Sequence, residues 1–104
     1  MTVHAEISIV PISGSRDTSM SNEVAAAFDA IRKIKNIKAN LTPLGTQVEA
    51  GDLGSILLAV EAAHHAARSA GAKCVISSVR IDERLDKIQT LHDKVKSVRR
   101  KLKK

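Results

Sequence analysis

The sequence has no tryptophan, no tyrosine and one phenylalanine, Phe28. This scarcity counts against functions that stack bases on aromatic rings or cage a cation between them. One cysteine, Cys74, is present; it cannot close an internal disulfide, and alone it cannot hold a zinc ion. Apolar runs extend over only a few residues, far short of the roughly 20 that a membrane helix needs.

What is present is an ordinary globular composition. The chain has 104 residues, 43% of them hydrophobic and 27% charged, with a mean hydropathy of −0.08. That is enough for one domain over residues 1–104 with one core. The net charge of +6 is unevenly spread: seven of the 17 bases, and no acid, lie in the last eleven residues. Residues 1–93 hold ten bases and eleven acids, a net of −1. The pI of about 9.8 therefore belongs to the tail. No basic segment precedes an apolar one at Met1–Glu6, so no secretory signal is read and a cytoplasmic location is expected.

Residues 3–12 read as a first strand, in which Val3, Ala5, Ile7 and Ile9 alternate with His4, Glu6 and Ser8 and which Pro11 brings to its end. A helix follows with Val24, Ala27, Phe28, Ile31 and Ile34 as its stripe, capped by Ser19 or Ser21 and closed near Asn36. Residues 38–42 and 46–50 read as strands joined by Pro43-Leu44-Gly45. Gly51-Asp52 opens a second helix with Leu53, Ile56, Leu57, Val60, Ala63, His64 and Ala67 as its stripe, and Gly71 closes it. Residues 73–82 form a last strand, and a basic helix is expected over about 85–104 with Leu85, Ile88, Leu91, Val95, Val98 and Leu102 as a near-heptad seam. The order βαββαβ plus a terminal helix predicts an α+β, ferredoxin-like sandwich. Its uncovered sheet face would present His4, Glu6 and Ser8 to solvent or to a partner.

Right-handed crossovers place the hydroxyl-rich stretch 13–21, the start of the first helix and the Pro43–Thr46 turn at one end of the sheet. Ser19, Ser21, Gly45 and Thr46 would meet there, their hydroxyls and helix amides suited to a small polar or anionic ligand. The plainer reading is a solvated loop and a helix cap. His64 and His65 point about 100° apart on a helix and read as packing residues, so no metal site is predicted. Glu6, Glu49 and Asp82 lie on or near the sheet but form no catalytic constellation. An acylphosphatase-like enzyme would need an arginine in a phosphate-cradling loop, which is lacking. The basic tail suggests RNA, yet the one aromatic sits on a helix stripe.

Taken together, Ala5–Pro11, Thr18–Ala25, Leu41–Glu49, His64 and Ile81–Lys87 resemble the small thiamine-binding proteins, over most of residues 3–98. The resemblance implies non-catalytic binding of thiamine or its hydroxymethylpyrimidine half, in vitamin supply or salvage, with no cofactor. It also implies homo-oligomers, dimers through open sheet faces paired into tetramers. Ser19, Ser21, Gly45 and Thr46 are the ligand-binding residues it points to. Gln47 and Glu49 rank second, because strand rise sets Glu49 roughly 10 Å from Thr46. Ala39, Ala50 and Cys74 depart from the family pattern. A helix N-terminus disfavours the thiazolium cation, so the neutral pyrimidine half or its phosphate ester suits this chain better. The alternative is a structural or regulatory homo-oligomer that contacts a protein or RNA through its basic helix.

Overall fold

The computed structural model describes residues 2–12, 20–86 and 88–102. Its elements are β1 (Thr2–Ile12), α1 (Ser21–Arg32), β2 (Ile37–Thr42), β3 (Gly45–Ala50), α2 (Leu53–Ser69), β4 (Cys74–Arg84) and α3 (Leu91–Lys101). The four strands form one sheet in the order β2-β3-β1-β4, with every neighbouring pair antiparallel. β1 and β2 therefore run the same way on either side of β3. The architecture is α+β with a terminal helix, as the predicted order required.

Alternation divides the sheet into two faces. Val3, Ala5 and Ile7 of β1 and Val48 and Ala50 of β3 are buried against Ala27 and Ile31 of α1 and Ile56, Ala59 and Ala63 of α2. The α2 stripe differs from the predicted one. Ile56, Ala59, Ala63 and Ala67 are buried, whereas Leu53 and Leu57 stand exposed. Methyl side chains let the helix backbone settle close to the sheet, so the alanines face inward and the leucines turn out.

The first strand keeps its predicted end at Ile12, and two other boundaries move. β1 continues through Pro11 to Ile12. The Ile12 carbonyl accepts from Lys73 N–H on the β4 side, so alternation turns the Pro11 nitrogen the other way, where β3 pairs only as far as Ile7. Ser21 is not the N-cap of α1: Met20 holds that position and its side chain makes no cap hydrogen bond, Ser21 is the first helical residue, and Ser19 lies outside the described residues. α3 begins at Leu91 rather than Leu85, because Thr90 and Asp93 form a reciprocal capping box there.

The largest departure concerns the second sheet face. His4 was expected to face solvent or a partner, yet it is only 5% exposed. α3 lies over it, running from Glu49 on β3 towards Asp82 on β4.

Candidate functional site

At the end of the sheet where β1 leaves β3, three elements enclose a cavity of about 240 Å³. Ile7–Val10 of β1 form its floor, Leu41–Thr46 of the β2–β3 hairpin one wall, and Met20, Val24 and Ala27 of α1 the other. Local chemistry fixes the hairpin. Pro43-Leu44 occupies the turn, and the Thr42 hydroxyl donates to the Gly45 carbonyl at 2.7 Å. A side chain at Gly45 would place Cβ 2.9 Å from the Ile7 carbonyl oxygen, so only glycine lets the hairpin approach β1 this closely. Thr46, opposite Ile7 in the ladder, is 5% exposed and lines the cavity.

Of the predicted site residues, Gly45 and Thr46 come together here, and Ser21 stands in the first turn of the helix that walls the cavity. Gln47 and Glu49 do not share it. Gln47 pairs with Glu6 and Glu49 with His4, which puts both on the opposite face of the sheet from the core. The apolar wall of Met20, Val24, Leu41 and Leu44 carried no chemical signal in the sequence; the helical spacing of Met20 and Val24 was its only trace.

Glu49 instead anchors α3. Its Oε1 accepts from the Leu91 backbone N–H at 2.8 Å, and the same oxygen lies 3.5 Å from His4 Nε2. A carboxylate there also meets the positive end of the helix dipole. Lys94 pairs with Asp82 one turn later. The imidazole of His4 is held below its usual pKa, first by burial and then by the Lys94 ammonium; Glu49 and the Gln89 carbonyl oppose the shift. Asp93 is held below the usual carboxylate range by the Thr90 N–H and hydroxyl. This clamp was missed in the sequence, although Thr90-x-x-Asp93 announces the helix start.

His64 Nδ1 lies 2.6 Å from Ser77 Oγ, a partnered packing histidine as expected. Beyond it, α2 borders an open groove of about 700 Å³ that includes Ile34, Leu57, Leu58, Glu61 and Arg68. That groove is wide and open, and its aliphatic residues are joined by Glu61, His64, His65 and Arg68. Among the described residues no cluster of three or more histidine, cysteine or acidic groups is placed to hold a metal. No described helix is long and apolar enough to cross a membrane.

A sequence model of the thiamine-binding protein family matches residues 5–99. The chain belongs to this family. Its relatives include a UPF0045 protein of Methanothermobacter thermautotrophicus, 40% identical over 100 residues, covering 96% of this chain and 99% of the relative. Another is the UPF0045 protein YqgV of Bacillus subtilis, 35% identical over 94% of this chain and 95% of its own. Among solved structures, a hypothetical protein of Methanocaldococcus jannaschii superposes with a TM-score of 0.82 at 36% identity, covering 93% of this chain and 95% of that one. A Thermotoga maritima protein, provisionally described as a thiamine biosynthesis/salvage protein, shares the fold with a TM-score of 0.76 at 23% identity, over 94% and 99% of the two chains.

Proposed function

We propose that the protein binds a thiamine-type aminopyrimidine without turning it over, in the cavity between the β2–β3 hairpin and the start of α1, and so serves vitamin supply or salvage in the cytoplasm. The observation that carries this reading is the enclosure of Thr46 and Gly45, the family's hairpin residues, in a cavity of about 240 Å³ with aliphatic walls. Val24, Leu41 and Leu44 suit the faces of one small ring. The Thr46 hydroxyl and the amides of the first turn of α1 suit its ring nitrogens and amino group. Of thiamine's two halves, the neutral pyrimidine or its phosphate ester fits a helix N-terminus better than the thiazolium cation does.

The reading includes self-association. α3 covers one end of the second sheet face, and the other end leaves Val10, Ile12 and Ile76 exposed. Burying these three against a second copy gives a dimer through sheet faces, and a further contact gives a tetramer.

Isothermal titration calorimetry of folded, ligand-free protein against thiamine and hydroxymethylpyrimidine tests the binding. Saturable heat is expected with hydroxymethylpyrimidine, weakened at least about tenfold in Thr46→Val, as removal of one buried hydrogen bond predicts. No heat with either compound at two temperatures would overturn the function, and unchanged affinity in Thr46→Val would overturn the site.

A further inference from the structure

The second face of the sheet has a cavity of its own, about 440 Å³ in volume, between β1, β3, β4 and the flank of α3. That volume lies within the range of small-molecule sites, about 300–1,000 Å³. Strand register sets a polar row across its floor: Gln47 of β3 stands beside Glu6 of β1, and Glu6 beside Arg80 of β4. Neither Glu6 nor Arg80 forms an ion pair, with the other or with any other described residue. Leu91 and Val95 of α3 make an apolar wall, and the Lys94–Asp82 pair closes the β4 side.

A buried group without a partner opens onto the same cavity. His4 lines it and is 5% exposed, yet its Nε2 makes no hydrogen bond; Glu49 Oε1 stands 3.5 Å away. The ring is hydrogen-bonded to the Gln89 backbone, and with Nε2 unpartnered that bond belongs to Nδ1–H. Burial, which lowers the imidazole pKa, favours the neutral ring, so Nε2 carries a lone pair. Buried acceptors are rarely left without a donor, and a ligand N–H would supply one.

We propose that this cavity binds a free α-amino acid with an aliphatic side chain, at a site separate from the pyrimidine cavity on the other face of the sheet. The α-ammonium donates to Glu6 and to Nε2 of His4, the α-carboxylate accepts from the Arg80 guanidinium, and the side chain lies against Leu91 and Val95. Charge identifies this class of ligand. Two acids, Glu6 and Asp82, and two bases, Arg80 and Lys94, converge on the cavity, so the site is neutral as a whole. A polyanion would meet both carboxylates there, and a polyamine both cations. An amino acid carries one charge of each sign on a single carbon. That matches Glu6 and Arg80, side by side on strands about 5 Å apart. Because the ligand touches both the sheet and α3, its binding also fastens the helix.

Calorimetric titration of the full chain with leucine, isoleucine and valine, up to millimolar concentration, tests the proposal, with circular dichroism as the check on folding. Saturable binding of at least one is expected. The N-acetyl derivative of that amino acid lacks the ammonium and its amide lacks the carboxylate; each should bind at least about tenfold more weakly. Arg80→Gln and Glu6→Gln should weaken the amino acid by a similar factor and leave hydroxymethylpyrimidine titrations as in the unaltered protein, so the two sites stand or fall separately. Amide exchange at residues 91–95 should slow on saturation. No saturable binding of any of the three amino acids would overturn the proposal. So would equal binding of the N-acetyl derivative, or an affinity unchanged in both variants. Should Glu6→Gln fail to fold, Arg80→Gln on the exposed edge strand decides.

Discussion

The backbone N–H of Leu91 donates to Oε1 of Glu49 across 2.8 Å, although 42 residues separate them in the chain. This contact turns the C-terminal helix from a tail into part of the sheet's second face. A carboxylate on β3 satisfies one of the amides that every helix leaves free at its start, and the helix in return buries His4.

Replacing Glu49 tests that role. Glu49→Leu removes the acceptor from a half-buried position and leaves the Leu91 amide unsatisfied. A loss of about 1–3 kcal/mol in urea denaturation is expected, with faster hydrogen exchange confined to residues 90–95. Glu49→Gln retains an oxygen and should lose less. Unchanged exchange at Leu91 in Glu49→Leu would show that α3 docks by other contacts.

His4 gives the fold a pH dependence with a definite sign. Burial, and then Lys94, lower its folded pKa below the unfolded value of 6.5. The unfolded chain therefore binds more protons between the two values, and stability rises with pH through that window. The contribution is full above 6.5 and declines as pH falls through the depressed folded pKa. Urea midpoints measured from pH 4 to pH 8 should rise through this range, and His4→Gln should flatten the slope. An equally steep slope in the variant would assign the dependence elsewhere.

Gly45→Ala should damage both the fold and the cavity. The new Cβ would sit 2.9 Å from the Ile7 carbonyl oxygen, which is backbone and cannot rotate away. A cost of about 1–3 kcal/mol is expected from the forced shift, along with weakened pyrimidine binding as the hairpin moves off β1. Wild-type stability in Gly45→Ala would mean that the hairpin yields at no cost.

A core without aromatics depends on its few large aliphatic side chains. Ile56 is fully buried where α2 meets the sheet, among alanines that cannot rearrange to fill a gap. Ile56→Ala should cost about 2–5 kcal/mol, measured by chemical denaturation. A loss under 1 kcal/mol would indicate that α2 collapses onto the sheet.

Much of the fold was legible in the chain itself. The period-2 run at Val3–Ile9, the Pro43-Leu44-Gly45 turn, the Asp52 cap and the Gly71 stop each act within a few residues, where backbone sterics and local hydrogen bonds decide the outcome. Their order predicted one end of the sheet where Gly45 and Thr46 would stand near the first helix, and the cavity lies there. The sequence also carried Thr90-x-x-Asp93, whose capping box starts α3 six residues later than the apolar seam suggested.

What the tertiary structure decided are relationships without a local cause. Strand parity within β3 already sets Gln47 and Glu49 opposite Thr46; the assembled sheet decided that α1 and α2 cover the Thr46 side and α3 the Glu49 side. The close approach of α2 to the sheet favoured its alanines over its leucines at the core. That β1 could hold Pro11 within it depended on where β3, more than thirty residues later, stopped pairing. The docking of α3 joined Glu49, His4, Asp82 and Lys94 from four segments. Apolar periodicity shows that a helix has a sticky face, but only the assembled sheet, with its charges and free edges, determines what that face lies against.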